Sequence, residues 1–492
     1  MAQQPVIIHP HGEVDTTAAN KKGLSAGSVT LFGAIIIGIS VVAPAYSLSG
    51  ALGPVGAVAG EHMPAIFLVG FIPMLLVAIG YRELNEAMPD AGTTFTWTTK
   101  AFGPWIGWLG GWALLAATIL VLSNLAGIAV DFFFLLISQV FRNPDLAALS
   151  TNNFINIGTF LIFMAIGCYI TYRGIDATQK LQTWLIIFQL LVLFIFAAVA
   201  TYHALNGSGF ANLTPQLEWF NPFGVESFSS FSSAISLVFF IYWGWDAVLT
   251  MNEETEGEHT TPGKAAVGTI LTVVLLYLFI SVSTLAFSGV SDTGLGLSNP
   301  DNQENIFAAL SAPVLGPLGI LMSLAVMVSA LASLQSTAVS PARTLLAMGY
   351  YKALGPKFAE ISPRYQSPSF ATIVSCAVAT IFYVAMRFIS ESVLWDTISA
   401  LSLMVCLYYG VTAFACVWYF RKTSFRTGAG NFFNKFLFPL LGGILLTVFF
   451  AQTLVSSMDP AYGSGSNIAG LGLVFVLAIV ILLIGLAVMA YQ

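Results

Sequence analysis

Long apolar runs, separated by short polar segments, fill the chain from residue 28 to its end. A helix needs about 20 residues to cross the hydrocarbon of a bilayer. Measured against that length, the pattern predicts twelve membrane-spanning helices. Their expected ranges are 28–50, 64–82, 104–138, 154–172, 182–204, 228–252, 265–288, 317–346, 369–388, 394–420, 434–455 and 467–490. Residues 1–27 are polar or small and predict a tail outside the membrane.

Two of the predicted spans, the first and the sixth, contain residues that disfavour a continuous helix. These are Gly38, Ser40 and Pro44 in the first span, and Gly244 and Asp246 in the sixth. Because lipid offers the backbone no hydrogen bonds, a break inside a membrane helix persists only where the freed groups face protein or water. A matched pair of breaks, one in each half of the chain, is typical of secondary transporters, in which the unwound backbone forms the substrate site.

The spacing of the two interrupted spans predicts an internal duplication. Spans one to five occupy residues 28–204, spans six to ten occupy residues 228–420, and two further helices follow in residues 434–490. Since each repeat has an odd number of spans, the second repeat starts from the opposite face of the membrane and the repeats are inverted. The expected fold class is therefore an all-α membrane protein with a five-plus-five inverted repeat and two C-terminal helices.

The composition supports a lipid environment. Hydrophobic residues make up 57 % of the 492 residues, charged residues make up only 8 %, and the mean hydropathy is +0.84. A soluble domain carries about 25 % charged residues. The net charge of −6 comes without a basic patch, so nucleic acid is not an expected partner. The four cysteines lie in apolar runs, and we expect them to stay reduced.

The basic residues predict the orientation of the chain, because cytoplasmic loops carry an excess of Lys and Arg. With twelve spans, 15 of the 17 basic residues fall on one side of the membrane, and only Arg142 and Arg387 fall on the other. This distribution predicts a multi-pass protein of the cell membrane with both termini in the cytoplasm.

The polar residues of the spans exclude most catalytic chemistry. All five histidines lie in tails or loops, and the sequence holds no evident nucleophile–base pair or set of metal ligands. We therefore expect no enzymatic activity, no cofactor and no metal. Ionisable residues inside a membrane are costly and tend to be functional. Asp246, directly after the break in the sixth span, could hold a substrate ammonium, accept a coupling proton, or stabilise the broken helix through hydrogen bonds.

The ends of interrupted helices also indicate the charge of a substrate. Free N–H groups and the positive end of a helix dipole favour an anionic group such as a carboxylate. Free carbonyl groups at the second break favour an ammonium. A zwitterionic α-amino acid matches both ends.

Four blocks of sequence, in order, resemble the amino acid–polyamine–organocation permeases. The first is the opening broken span, and the second is the segment YRELNEAMPDAGTTFTWTTKAFGPWIGWLGGW. The third is FIYWGWDAVLTMNEE in span six, and the fourth is SPARTLLAMGYYKALGPKF in span eight and its loop. The resemblance covers most of the chain and implies a LeuT-like fold.

The resemblance also implies a substrate site. The substrate carboxylate would meet the backbone of span one, the ammonium would meet carbonyl groups of span six, and one aromatic ring of span six would close over the substrate as a gate. The implied residues are Ile37, Gly38, Ile39 and Ser40 for the carboxylate, Phe240, Ile241, Trp243 and Gly244 around the ammonium, Phe240 as the gate, and Thr118 in the pocket wall.

Two positions depart from the family pattern. Ile39 stands where many members have Ser or Thr between two glycines, which narrows the freedom of the backbone. Gln189 stands where many members have a lysine in span five, and an amide cannot carry the charge that couples transport to protons in those relatives. Coupling through Asp246, coupling through a sodium ion, and plain exchange are the remaining alternatives.

These observations predict a permease that imports an amino acid or a related amine by alternating access, coupled to protons. A polyamine or other organocation carrier and an amino acid exchanger are alternatives within the same class, and a channel is the alternative from another class. The expected partners are a small-molecule substrate, membrane lipid, and a coupling proton or sodium ion.

Overall fold

A computed structural model of the protein describes residues 22–492 apart from 175, 304, 390–392, 427, 461, 463 and 464. The described chain is almost entirely helical. Its helices are α1 (Leu31–Val42), α2 (Pro44–Ala59), α3 (Met63–Ala87), α4 (Thr94–Phe102), α5 (Pro104–Phe141), α6 (Asn153–Tyr172), α7 (Asp176–Leu205), α8 (Phe228–Ile241), α9 (Ala247–Thr250), α10 (Thr261–Ser288), α11 (Pro300–Gln303), α12 (Ile306–Leu315), α13 (Ile320–Thr337), α14 (Val339–Tyr350), α15 (Ser369–Ile389), α16 (Val393–Phe420), α17 (Ala429–Phe432), α18 (Phe438–Ser456) and α19 (Leu473–Tyr491). A two-stranded hairpin, β1 (Asn467–Ile468) and β2 (Leu471–Gly472), precedes α19.

Ten helical stretches in the described part of the chain are long and apolar enough to cross a membrane. The stretch Leu31–Ala87 alone has 57 residues and holds three helices, and the shorter apolar helix α8 is not among the ten. The structure confirms an all-helical, multi-pass membrane protein. The count of twelve spans and the inverted repeat stay predictions.

The 38-residue helix α5 packs against α4, α6, α13, α15 and α16. Helix α1 lies among α7, α10 and α13, and α8 lies among α2, α3 and α16. Peripheral helices such as α19 expose large apolar side chains, including Leu483 and Ile484, as expected where lipid takes the place of water. The two interrupted helices are thereby enclosed by other helices.

One end of the molecule collects charged side chains from loops that are distant in sequence. Lys22 lies between Asp90 and Glu253, and Arg343 pairs with Glu254. The structure brings these residues together at one end of the helical bundle, and the predicted twelve spans would also put their loops on one face of the membrane. Which face of a cell membrane this is stays a prediction.

Candidate functional site

The first break in the chain lies at Ala43. Helix α1 ends at Val42, Ala43 adopts the left-handed conformation with φ 52° and ψ 65°, and α2 begins at Pro44. Proline has no N–H to continue a helix and disfavours helical geometry in the residue before it. Of the three residues that marked this span, the break lies beside Pro44, about one turn C-terminal to Gly38–Ser40, where the family resemblance implied it.

The residues implied for carboxylate binding, Ile37, Gly38, Ile39 and Ser40, all lie inside α1. Gly38 serves helix packing there. A Cβ atom on Gly38 would lie 2.4 Å from Thr269 Oγ1 and 3.1 Å from a methyl carbon of Val248. The glycine that suggested a break from sequence instead permits the close approach of α10 and α9 to α1.

The second break is longer and contains the predicted residues. Helix α8 ends at Ile241, residues 242–246 form turns, and α9 begins at Ala247. Gly244 has φ 107°, which an L side chain rarely adopts. A Cβ atom on Gly244 would lie 2.7 Å from Val41 Cγ1 in the last turn of α1. The two breaks therefore lie against each other inside the protein.

Asp246 is held by helix α16 across the second break. Its carboxylate oxygens accept hydrogen bonds from Tyr409 Oη at 2.7 Å and from Tyr408 Oη at 3.2 Å. Trp243 Nε1 in turn donates to Tyr408 Oη at 2.6 Å. Asp246 is 4 % exposed. Of the three roles open from the sequence, this geometry favours stabilisation of the broken helix, and the two tyrosines are partners that the sequence did not indicate.

Aromatic side chains pack beside the two breaks. Phe240 in α8 and Tyr46 in α2 meet edge to face with ring centroids 6.0 Å apart. Tyr277 Oη donates to the carbonyl of Ile241 at 3.0 Å, which satisfies one of the groups left free at the end of α8. The hydroxyls of Tyr46 and Tyr242 are buried and have no hydrogen-bond partner among the described residues.

A buried polar cluster joins α1, α7 and α13. Ser40 Oγ donates to Gln182 Oε1 at 2.7 Å, and Ser336 Oγ donates to Ser40 Oγ at 2.9 Å. Gln182 Nε2 also donates to Gln335 Oε1 at 3.2 Å. A small cavity beside the cluster is lined by Gln335 and Ser336, among others, and by Ile37 of α1. This cluster was missed from sequence, where only Ser40 was considered.

The two remaining predicted residues, Gln189 and Thr118, are both buried. Gln189, two turns along α7 from Gln182, is fully buried, and neither atom of its amide has a hydrogen-bond partner in the described structure. Thr118 is also buried, and its hydroxyl donates to the carbonyl of Leu114 in the preceding turn of α5. Thr118 is therefore bonded within its own helix, whereas the amide of Gln189 can still donate and accept hydrogen bonds.

The charged end of the molecule is closed around Lys22. Lys22 Nζ donates to Asp90 Oδ2 at 2.7 Å and to Glu253 Oε1 at 2.5 Å. Burial alone would lower the pKa of Lys22, but the carboxylates of Asp90 and Glu253 outweigh it and raise that pKa. Burial opposes Asp90 ionisation, yet Lys22 and hydrogen bonds from Tyr351 and Thr96 lower the pKa of Asp90. Burial raises the pKa of Glu253.

At the same end, the segment before α1 is hydrogen-bonded to the segment after α9. Val29 N donates to the carbonyl of Glu254 at 3.0 Å, and Glu256 N donates to the carbonyl of Val29 at 2.8 Å. Arg343 Nε and Nη2 donate to the two carboxylate oxygens of Glu254 at 2.5 and 2.9 Å. Within the described residues, no group of three or more His, Cys, Asp or Glu side chains is close enough to hold a metal ion.

Comparison with known proteins agrees with this architecture. The family described as "Amino acid permease" matches residues 29–484. The chain belongs to the amino acid permease family. That membership confirms the resemblance inferred from the four sequence blocks, and it places the chain among transporters.

Individual members of the amino acid permease family are distant relatives. The branched-chain amino acid permease BcaP of Bacillus subtilis is 28 % identical over 269 residues, which are 53 % of this chain and 54 % of that protein. The chain therefore matches about half the length of this relative. The low-affinity putrescine importer PlaP of Escherichia coli is 20 % identical over 360 residues, which are 72 % of this chain and 73 % of that protein.

A solved structure shows the fold of this permease. The crystal structure of MhsT in complex with L-phenylalanine superposes with a TM-score of 0.59 at 18 % identity, and covers 85 % of this chain and 98 % of that chain. At this identity the likeness establishes the LeuT fold only.

Proposed function

We propose that this permease is a secondary active transporter that imports an α-amino acid or a related amine by alternating access. The observation that carries the proposal is the contact of the two breaks, in which Gly244 of the second lies against Val41 at the end of the first. Helix ends that meet in a buried, aromatic environment can bind both charges of a zwitterion.

The substrate carboxylate binds at the start of α2 in this proposal. The first N–H groups of a helix lack partners within the helix. Pro44 has none to offer, and Tyr46 N makes only a long bond of 3.4 Å to Ser329 Oγ. We therefore assign carboxylate binding to the N–H groups of Ala45 and Tyr46. The N–H groups of residues 37–40 are not free for this role, because they form hydrogen bonds within α1. Ile37, Gly38, Ile39 and Ser40 form the wall that precedes the break.

The substrate ammonium binds the carbonyl groups around the end of α8. The carbonyl of Phe240 accepts from Trp243 N at 3.1 Å, and that of Ile241 accepts from Tyr277 Oη. A carbonyl oxygen has two lone pairs, so both can accept a further bond. Gly244 leaves room for the approach, and Phe240 acts as the gate through its contact with Tyr46. Thr118 lines the wall on the side of α5.

Coupling to protons is proposed to act through Asp246. A carboxylate that bridges two tyrosines on α16 would, on protonation, become a donor and loosen the tie between α16 and the second break. Gln189 cannot be charged, and we propose that its unpaired amide binds water or a sodium ion in one state of the transport cycle.

We further propose twelve spans in a five-plus-five inverted repeat with two C-terminal helices. Division of Leu31–Ala87 at Gly60–His62 gives two spans, and joining α8 to α9 gives the sixth. With 15 of 17 basic residues then on one side, both termini lie in the cytoplasm and the protein lies in the cell membrane.

Counterflow in proteoliposomes tests the proposal. Vesicles that contain purified protein are loaded with one unlabelled solute and diluted into trace labelled solute, with leucine, phenylalanine, arginine and putrescine compared. A carrier accumulates label transiently above equilibrium, whereas a channel only equilibrates it. Absence of overshoot for every amino acid, together with rapid equilibration, would replace the carrier by a channel.

An organocation carrier is the second candidate, because one relative is a putrescine importer. Asp246 is the acid at the breaks, and its oxygens are occupied by Tyr408 and Tyr409. We therefore expect overshoot with amino acids and none with putrescine; the reverse result selects the second candidate. An exchanger is recognised by uptake that requires a loaded interior and is indifferent to an imposed pH gradient.

A further inference from the structure

Two short helical turns between α7 and α8 expose large apolar side chains. The turns cover Leu217–Phe220 and Pro222–Gly224, and α8 begins at Phe228. Leu217 is 90 % exposed, Phe223 is 94 % exposed and Phe228 is 70 % exposed. Large apolar side chains that the protein leaves uncovered mark a surface that lipid or another protein covers.

These turns are docked against the connection between α2 and α3. His62 Nδ1 of that connection lies 3.2 Å from the carbonyl oxygen of Glu218. A Cβ atom on Gly224 would lie 2.2 Å from the ring of His62, so the second turn also packs closely against it. Trp219 is 2 % exposed and anchors the segment on the protein side. The segment is thereby held in place with one aromatic ring turned inward and the exposed side chains turned outward.

Helix α3 gives the depth of this connection in the membrane. The stretch from Met63 to Tyr81 has no charged side chain, and Arg82 and Glu83 follow it. At 1.5 Å per residue this stretch is about 28 Å long, which matches the hydrocarbon thickness of about 30 Å. With Arg82 at one edge of the hydrocarbon, His62 lies at the other edge. The turns docked on His62 therefore lie in the headgroup layer, at the end of the bundle opposite the charged end.

The lipid-facing surface of the helices continues to the same level. Leu68 and Ile72, one turn apart on α3, are 36 % and 45 % exposed and belong to the apolar surface that lipid covers. Helix α8 packs against α3, and at its start Phe228 stacks on Phe231 with ring centroids 6.3 Å apart. Aromatic side chains at this depth are typical of the boundary between lipid and water.

We propose that the segment from Leu217 to Phe228 is an interfacial anchor, whose exposed apolar side chains enter the boundary between the headgroups and the acyl chains of the adjacent leaflet. Residues 206–228 contain no Lys or Arg, so this anchor is apolar and needs no anionic lipid. It holds the end of α2 and the start of α8 at one depth. The far ends of both interrupted helices are thereby fixed to the bilayer while their breaks lie inside the protein.

Nitroxide labels on the full chain in liposomes of palmitoyl-oleoyl phosphatidylcholine test this anchor. Leu217→Cys and Phe223→Cys are labelled in a Cys168→Ser background, because Cys168 is a partly exposed thiol and the other three cysteines are buried. The background protein without a new cysteine should take up no label. Asp292→Cys is the matched control, on an exposed loop that follows α10 at the same end of the bundle. Since the replaced side chains are exposed, uptake by each labelled protein should be retained and confirms its folding.

Electron paramagnetic resonance then reports the depth of each label, because oxygen concentrates in the apolar part of a bilayer and a nickel chelate stays in water. We expect the ratio of oxygen to nickel collision rates at positions 217 and 223 to exceed the ratio at position 292 several-fold. Ratios equal to that at position 292 would place the segment in water and overturn the proposal. Labels shielded from both reagents would also overturn it, because another protein surface, such as a second copy of this chain, would then cover the segment.

Discussion

The two helix breaks are held in different ways. The first turns on one residue, Ala43, followed by Pro44, and the helix resumes at once. The second extends over residues 242–246, and helix α16 ties it in place through Tyr408 and Tyr409. We infer that local sequence fixes the first break, whereas tertiary contacts hold the second. A movement of α16 relative to α8 would therefore change the second break and leave the first unchanged.

Substitution of Gly244 has the largest expected effect on this difference. Gly244→Ala places a side chain at φ 107° and a Cβ atom 2.7 Å from Val41. Backbone strain and overpacking each cost about 1–3 kcal/mol. We expect loss of uptake and a lower thermal unfolding temperature in detergent.

Gly50→Ala in α2 is the matched control. A Cβ atom on Gly50 meets nothing within 4 Å, so this variant should keep uptake and gain helix stability of up to about 1 kcal/mol. The double variant Gly244→Ala/Val41→Ala removes the collision but keeps the strain, and it should recover part of the lost stability. Full activity of Gly244→Ala would mean that the two breaks do not need this close contact.

Asp246 tests whether α16 holds the second break. Asp246→Ala leaves two buried tyrosine hydroxyls without their acceptor, at about 1–3 kcal/mol for each unsatisfied group. A double-mutant cycle that combines Asp246→Ala with Tyr409→Phe, measured by thermal or denaturant unfolding, should show a coupling free energy of about 0.5–3 kcal/mol.

Asp246→Asn separates the anchoring role from the coupling role. The asparagine keeps an acceptor oxygen, so stability should fall less than in Asp246→Ala. If Asp246 also carries the coupling proton, uptake by Asp246→Asn becomes independent of an imposed pH gradient. A zero coupling to Tyr409 would show that the tyrosines do not hold the break.

The position of the first break is tested by exchanging its small residues. Ala43→Gly relieves the cost of a left-handed residue, about 1 kcal/mol, and should preserve uptake. Gly38→Ala should destabilise the protein by about 1–3 kcal/mol, since its Cβ atom meets Thr269 and Val248. Thr269→Ala, added to Gly38→Ala, should remove this collision and restore part of the lost stability. If Ala43→Gly abolished uptake and Gly38→Ala were neutral, the break would belong at Gly38.

The sequence predicted both breaks, but in the first span it did not decide between Gly38, Ser40 and Pro44. Gly244 combines a positive φ with a close approach, and both demand glycine, so the residue marked the break correctly. Gly38 is required only for the close approach of neighbouring helices. A sequence does not distinguish a glycine of this kind from one at a helix break. Pro44 was the better signal, because its missing N–H determines where α1 must end.

Contacts between distant helices account for what the sequence could not predict. Gln182 and Ser336 complete the hydrogen bonds of Ser40, and the tyrosines of α16 complete those of Asp246. Polar residues at such spacings occur in many helices, and only the packing of α7, α13 and α16 selects these ones. The pattern of apolar and polar runs was enough to predict a helical membrane protein, because an apolar segment that crosses lipid satisfies its backbone hydrogen bonds by forming a helix.

The smallest expected effect is the change of stability with pH at the charged end around Lys22, Asp90 and Glu253. The raised pKa of Lys22 means that its contribution is complete below its ordinary value of 10.5 and is lost only as the pH rises through the higher folded value. The lowered pKa of Asp90 means that its contribution is complete above 3.8 and is lost only as the pH falls through the lower folded value. The raised pKa of Glu253 makes protonation of that group favour the folded state.

Between their ordinary pKa values of 3.8 and 10.5, Asp90 and Lys22 should therefore stay charged and paired, so a pH response of transport would arise at Glu253 or at the second break. Amine acylation followed by mass spectrometry measures this, because only an accessible, neutral lysine reacts. Lys22 should react at least about tenfold more slowly than the exposed Lys264, with the same ratio at pH 6.5 and 8.5. Asp90→Asn should raise the reactivity of Lys22 alone. Equal labelling of the two lysines at pH 8.5 would show that the Lys22–Asp90 pair opens with pH, and the pH response could then no longer be assigned to Glu253 or the second break alone.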